Sequence, residues 1–275
     1  MVKQMKNERL YNYLDKYLDN QLGDGKISFS VTELAKNFPE FSLNALQMNL
    51  KRLNKKNKIR HIMKGFYAII QPEYRQRKII PPELFIDALF AYLERPYYFG
   101  LLSAAALHGA SHQQAMEYYA FIDKPSIRPT NIAGLKINYV VKNLFPESGI
   151  DERKTDAGYI NISSPELTAI DLIEYQHRIG GLNRAATVLY ELSESMSPVN
   201  LSVILNSNIQ KSVLQRLGYI LEFVLHKNEL AGVIKNYLSS KKIFRVPLKP
   251  GYKKKGSEIN NVWKVFENFK IETDF

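Results

Sequence analysis

The chain contains no cysteine, which removes disulfide staples and thiolate metal sites together and makes a reducing cytoplasm the expected compartment. It also has no unbroken apolar run of about 18 residues, so membrane spanning is not expected. The opening stretch "MVKQMKNERLYNYLDKYLDN" lacks the apolar centre of a signal peptide. Neither a Walker phosphate loop nor a Rossmann glycine fingerprint occurs. Histidine is scarce, with five in the chain. His108 and His112 stand four apart without the glutamate of an HExxH motif or a third ligand, so neither a metal nor a cofactor is expected.

What is present is a folded composition: 45% hydrophobic residues, with 17 tyrosines and 14 phenylalanines, enough to supply a core over 275 residues. The net charge of +11 is unevenly spread. Residues 1–80 carry +9, residues 81–234 carry −4, and residues 235–275 carry +6. Basic ends around an acidic middle are what a polyanionic partner requires, because cations placed against phosphates release condensed counterions.

Helical spacing of Leu10, Tyr11, Leu14, Tyr17 and Leu18 predicts a first helix, stopped near Gly23 to Gly25. "KISFS" reads as a strand, and Ser30 with Glu33 as a capping box that opens a second helix, broken at "NFPEF". Ser42 caps a third, in which Leu43, Leu46, Leu50 and Leu53 form one stripe while Asn44, Met48, Lys51, Arg52 and Lys55 occupy the opposite face. "KIRHIMK", Gly65 and "FYAII" follow as a hairpin around a basic turn. This order is that of a winged helix-turn-helix. In that motif the third helix enters the major groove of duplex DNA and the hairpin lies along the backbone or minor groove. Lys51, Arg52 and Lys55 are expected on phosphates, Asn44, Gln47 and Met48 near base edges, and Lys58, Arg60, His61 and Lys64 in the wing. A helical domain with a merely solvated charged face, or a winged helix serving as a protein interface, would share the element order; the charge favours nucleic acid.

Consecutive prolines in "IIPPE" mark the boundary between expected domains 1–78 and 79–275. Phe85, Leu89, Tyr92 and Leu93 predict the inward face of the next helix. "EYYAFID", "LKINYVVK" and "GYINIS" then read as strands, and a series of helices follows from Ser164. The tail reads as strand, exposed basic loop, strand, with Lys253, Lys254 and Lys255 as candidate nucleic-acid contacts. The expected fold class is therefore α+β: an N-terminal winged helix-turn-helix followed by a larger mixed α/β domain.

"YYFGLLSAAALHGASHQQ" has serines, histidines and glycines in the density of a hydrolase motif. A nucleophile elbow needs G-x-S-x-G, whereas Ser103 stands three residues after Gly100 and precedes three alanines. The segment reads instead as a close-packed helix ended by Gly109. Asp151, Glu152 and Asp156 form an acidic cluster in an expected loop, more consistent with a solvated face than with a metal site. No catalytic residue is assigned and the chain is expected not to be an enzyme. The competing readings are a metal-dependent nuclease or nucleotide hydrolase using that acidic middle, and a ligand-sensing repressor.

In their order, "YYFGLLSAAALHGASHQQ", "ISSPELTAIDLIEY", "VLYEL", "RLGYILE" and "VPLKPGYKKKGSEINNVWKV" resemble the AbiEi family of antitoxins from type IV abortive-infection toxin–antitoxin systems. The resemblance implies an N-terminal winged helix and a C-terminal antitoxin domain. It further implies autorepression of a shared operon at promoter DNA, with an inverted repeat as the expected operator, and antagonism of an AbiEii-type nucleotidyltransferase toxin without a stable complex.

Overall fold

The computed structural model describes residues 2–76, 80–110 and 116–272, with side chains from Leu10 onward. The expected boundary between residues 78 and 79 lies outside the described residues, as does His112. The chain is mixed α/β, with a helical N-terminal region ahead of a larger α/β part. It divides into two compact units, one of residues up to 97 with 126–139 and 152–160, the other of 98–125, 140–151 and 161 onward.

The first unit opens with α1 (Val2–Gly23), β1 (Ser28–Ser30), α2 (Val31–Asn37), α3 (Leu43–Lys55), β2 (Ile59–Met63) and β3 (Phe66–Ile69). Both α2 and α3 start on a serine whose side chain satisfies an orphan amide: Ser30 Oγ accepts from Glu33 N at 3.0 Å, and Ser42 Oγ from Ala45 N at 3.3 Å. The strands form an antiparallel sheet in the order β1-β3-β2, with Phe29 opposite Tyr67 and Arg60 opposite Ala68. Leu10, Leu14 and Leu18 of α1 share one core with Leu34, Leu46, Leu50, Leu53 and Phe29. Each such leucine contributes about 1.5–3 kcal/mol on burial, which fixes the rotation of α3 about its axis.

Leu43 departs from the expected stripe, being 57% exposed. It is the first residue of α3, beyond the reach of the core that covers the later turns. Asn49 is buried in its stead and donates from Nδ2 to Ala45 O at 3.0 Å.

After a 3-10 turn at Pro82–Leu84 comes α4 (Ile86–Leu93). Phe85, Leu89 and Phe90 are buried, but Tyr92 is 38% exposed, which corrects its expected inward placement: its hydroxyl reaches Lys64 O at 3.4 Å while its ring lies against Phe66. An amphipathic ring at an edge satisfies both ends in this way.

There follow β4 (Tyr97–Phe99), α5 (Leu101–Leu107), β5 (Glu117–Ile122), β6 (Thr130–Ile132), β7 (Leu135–Val141), β8 (Ile150–Thr155) and β9 (Gly158–Ser163). The six strands are ordered β6-β7-β5-β4-β9-β8, with β4 parallel to β9 and β6 antiparallel to β7. β8 corrects the expected loop at Asp151 and Glu152. It is an edge strand whose middle four residues are all exposed, so it has no apolar alternation to betray it. Charge on such an edge discourages pairing with another chain.

The remaining helices are α6 (Pro165–Glu174), α7 (Leu182–Leu192), α8 (Pro198–Ile204), α9 (Lys211–Tyr219), continued by a π turn at Ile220–Val224, and α10 (Asn228–Ser239). Three two-residue strands close the chain: β10 (Val246–Pro247), β11 (Ile259–Asn260) and β12 (Val265–Phe266), ordered β10-β12-β11. The expected strand, exposed basic loop and strand are present as β10, the loop after it and β11, and β12 joins them in a small three-stranded sheet anchored by Trp263. That ring is 1% exposed and its Nε1 donates to Glu222 Oε2 at 2.6 Å.

Candidate nucleic-acid interface

With Leu46, Leu50 and Leu53 buried, the helical period of about 3.6 residues turns Asn44, Gln47, Met48, Lys51, Arg52 and Lys55 outward together, and all six are exposed. Met48 is 63% exposed, an unfavourable position for a thioether unless a partner covers it. The face therefore combines amides, an apolar tip and three cations on one rod.

Arg52 is placed by α1: its guanidinium carbon sits 4.4 Å from the centroid of the Tyr11 ring. Lys56 lies 4.5 Å from the same ring and donates to the Tyr11 hydroxyl at 3.1 Å. A cation over an aromatic face is attracted by the ring's quadrupole while keeping its charge open to water. Tyr11 thus organises two of the cations, a role its helical spacing does not reveal.

The wing residues differ in their freedom. Lys58 is half-buried and ion-paired with Asp15 of α1, which ties the start of the hairpin to the helix behind it. Arg60 is also half-buried and donates to Asn57 Oδ1 at 3.2 Å, and burial lowers the pKa of its guanidinium below the ordinary arginine value. His61 and Lys64 are exposed. The ring of His61 meets Tyr67 edge-on at 5.1 Å, and its backbone amide donates to Asn54 Oδ1 at 3.1 Å, joining the hairpin to α3. Gly65 turns the hairpin at φ +80°, and a Cβ there would fall 2.6 Å from the Tyr92 hydroxyl.

Lys253, Lys254 and Lys255 lie in the second unit on the loop between β10 and β11, all exposed. Lys254 Nζ approaches the Phe266 ring to 5.7 Å.

The residues of the hydrolase-like segment are not arranged as a nucleophile and base. Ser103 is 2% exposed and its Oγ accepts from Tyr119 N at 2.8 Å; His108 Nε2 bonds Ser163 O at 2.7 Å. Among the described residues no group of three His, Asp or Glu side chains is placed to hold a metal ion, and no helix is long and apolar enough to cross a membrane.

The second unit has a buried polar centre that sequence reasoning missed. Asp171 accepts from the Tyr98 hydroxyl at 3.0 Å and is ion-paired with Lys142, whose Nζ is 3.8 Å from Glu174. Burial raises the pKa of both carboxyls, against the opposing pull of Lys142, and lifts that of the Tyr98 hydroxyl well above its usual 10.0. The Lys142 end opens on a cleft of about 560 Å³ lined by Phe145, Ser148, Tyr175 and Ser207. Glu166, fully buried, accepts from Ser197 N at 2.7 Å and Ser164 Oγ at 3.0 Å, so this carboxylate joins the start of α6 to the start of α8.

Residues 98–223 match the model of the AbiEi antitoxin C-terminal domain. The fold is similar to the crystal structure of the RV2827C protein from Mycobacterium tuberculosis, with a TM-score of 0.65 and 14% sequence identity over 92% of this chain and 90% of that one. No curated protein matches the chain.

Proposed function

We propose, from the match of residues 98–223 to the AbiEi antitoxin C-terminal domain, that the chain is the antitoxin and autorepressor of a type IV toxin–antitoxin operon. The N-terminal elements act as a winged helix-turn-helix. α3 enters the major groove, Lys51, Arg52 and Lys55 take phosphates, and Asn44, Gln47 and Met48 meet base edges. The hairpin contributes His61 and Lys64 at the flank, with Lys58 and Arg60 fixing its base. The observation that carries this reading is the joint exposure of six amide, thioether and cationic side chains on the face of α3 opposite its buried leucines.

The second unit carries the antagonism of a nucleotidyltransferase toxin of the AbiEii type, acting without a stable complex in the cytoplasm. Two measurements test the proposal. In a mobility-shift titration the full chain should retain the duplex upstream of its own gene at concentrations that leave an unrelated duplex of equal length free; equal retention of both would refute sequence-specific repression. Expression of the adjacent reading frame should arrest growth, and co-expression of this chain should restore it; continued arrest would count against the antitoxin assignment to that partner.

A further inference from the structure

Phe244 is 68% exposed, more than any other described aromatic residue, although its backbone is held in place. Gln215 Nε2 donates to Phe244 O at 2.8 Å, Lys264 Nζ to Ile243 O at 3.4 Å, and Lys211 Nζ to Lys242 O at 3.1 Å. The same bonds that fix this backbone bring Lys211 and Lys264 beside it. Lys242 Nζ stands 5.3 Å from the centre of the Phe244 ring, and Arg245 follows, exposed. None of Lys211, Lys242, Arg245 and Lys264 meets a carboxylate within 4 Å among the described residues. From Leu230 to Ser257 the chain has no acidic residue at all. A ring projecting from a fixed backbone amid cations without carboxylate partners has no role in the core, whose members lie elsewhere.

We infer that Phe244, Lys211, Lys242, Arg245 and Lys264 form a binding site for single-stranded nucleic acid, with one base stacked on the Phe244 ring and the flanking phosphates on the four cations. The cations alone would suit any polyanion. The ring selects, because bases in a duplex are already stacked on one another and offer no free face, whereas an unpaired base does. The inference draws only on residues of the second unit and does not depend on the winged-helix reading.

The test uses the full chain carrying Lys51→Ala, Arg52→Ala and Lys55→Ala together, so that duplex binding through α3 is suppressed. Labelled oligouridine and oligothymidine strands of about 12 nucleotides, within the span of one single-strand binding fold, and a duplex of the same length are titrated by fluorescence anisotropy. One or both single strands should bind more tightly than the duplex, and the tighter of the two identifies RNA or DNA as the source. Phe244→Ala should weaken single-strand binding by about tenfold, within the range of one lost base stack. Lys242→Ala with Arg245→Ala should lower the slope of log affinity against log salt by about 1.4. Phe244→Trp should keep binding and show fluorescence quenching as the strand is added, since the native Trp263 is buried. Unchanged binding in Phe244→Ala, equal binding of the duplex, or no single-strand binding with folding intact by circular dichroism would each overturn the site. So would Phe244-dependent binding to phosphatidylserine vesicles that exceeds binding to either strand.

Discussion

A methyl group on Gly218 would fall 2.1 Å from Cζ3 of Trp263, inside any permissible contact. Gly218 gives the second unit a flat place on α9 on which the indole lies, with Gln215 Nε2 donating to Trp263 O at 2.7 Å. Gly218→Ala should therefore lower stability by about 1–3 kcal/mol through overpacking, seen as a drop in the midpoint of urea unfolding; an unchanged midpoint would show that the indole is displaced without cost. Asp171 provides a second test. Burial raises the pKa of its carboxyl above the usual 3.8, so the folded chain holds that proton more tightly than the unfolded one. Its contribution is present in full below 3.8 and is lost as pH rises through the folded value. The stability of the wild type minus that of D171N should accordingly shrink as the pH is raised above 3.8. A difference that widens with pH would mean that Lys142 outweighs burial. Neither Gly218 nor Asp171 carries a warning in the sequence, since what matters is which ring or ammonium the fold brings to each.

At the scale of elements, α3 is where local pattern and tertiary packing agree. Its serine cap, its stripe of leucines and its opposite polar face are legible from spacing, because a helix of about 3.6 residues per turn imposes them before any partner is present. Replacing Lys51, Arg52 and Lys55 with alanine should weaken binding to the upstream duplex and reduce its salt slope by about 2.7, as three phosphate contacts are lost. A mobility-shift titration at several salt concentrations measures this, and an unaltered slope would remove α3 from the interface. Two features of these elements are hidden in the sequence. Leu43 fits the stripe but lies past the end of the core, and β8 shows no alternation because an edge strand with charged residues on both faces has none to show. The stacking of Arg52 and Lys56 on Tyr11 is equally hidden, since residues so far apart along the chain meet only when α1 packs on α3.

For the whole molecule, the proposal separates two activities between the two units. The K51A/R52A/K55A variant should lose repression of a reporter driven by the upstream region yet still restore growth when the toxin is expressed. Loss of both, with the variant folded and present at wild-type level, would show that antagonism requires DNA binding. The uneven charge anticipates such a division, because the positive residues gather at the two ends of the chain while the middle is acidic.

Spacing, caps and turn residues by themselves determined the order of helices and strands through β3, the exposed character of the α3 cations, and the strands β5, β7 and β9. Each depends on neighbours within a few residues, where the backbone period decides which side chains share a face. Only the tertiary structure decided that Trp263 lies on Gly218, that Lys142 is sunk against Asp171, and that Phe244 is held outward among Lys211, Lys242 and Lys264. These are meetings of distant segments, and close packing and the pairing of buried charge select them through contacts that no local pattern encodes.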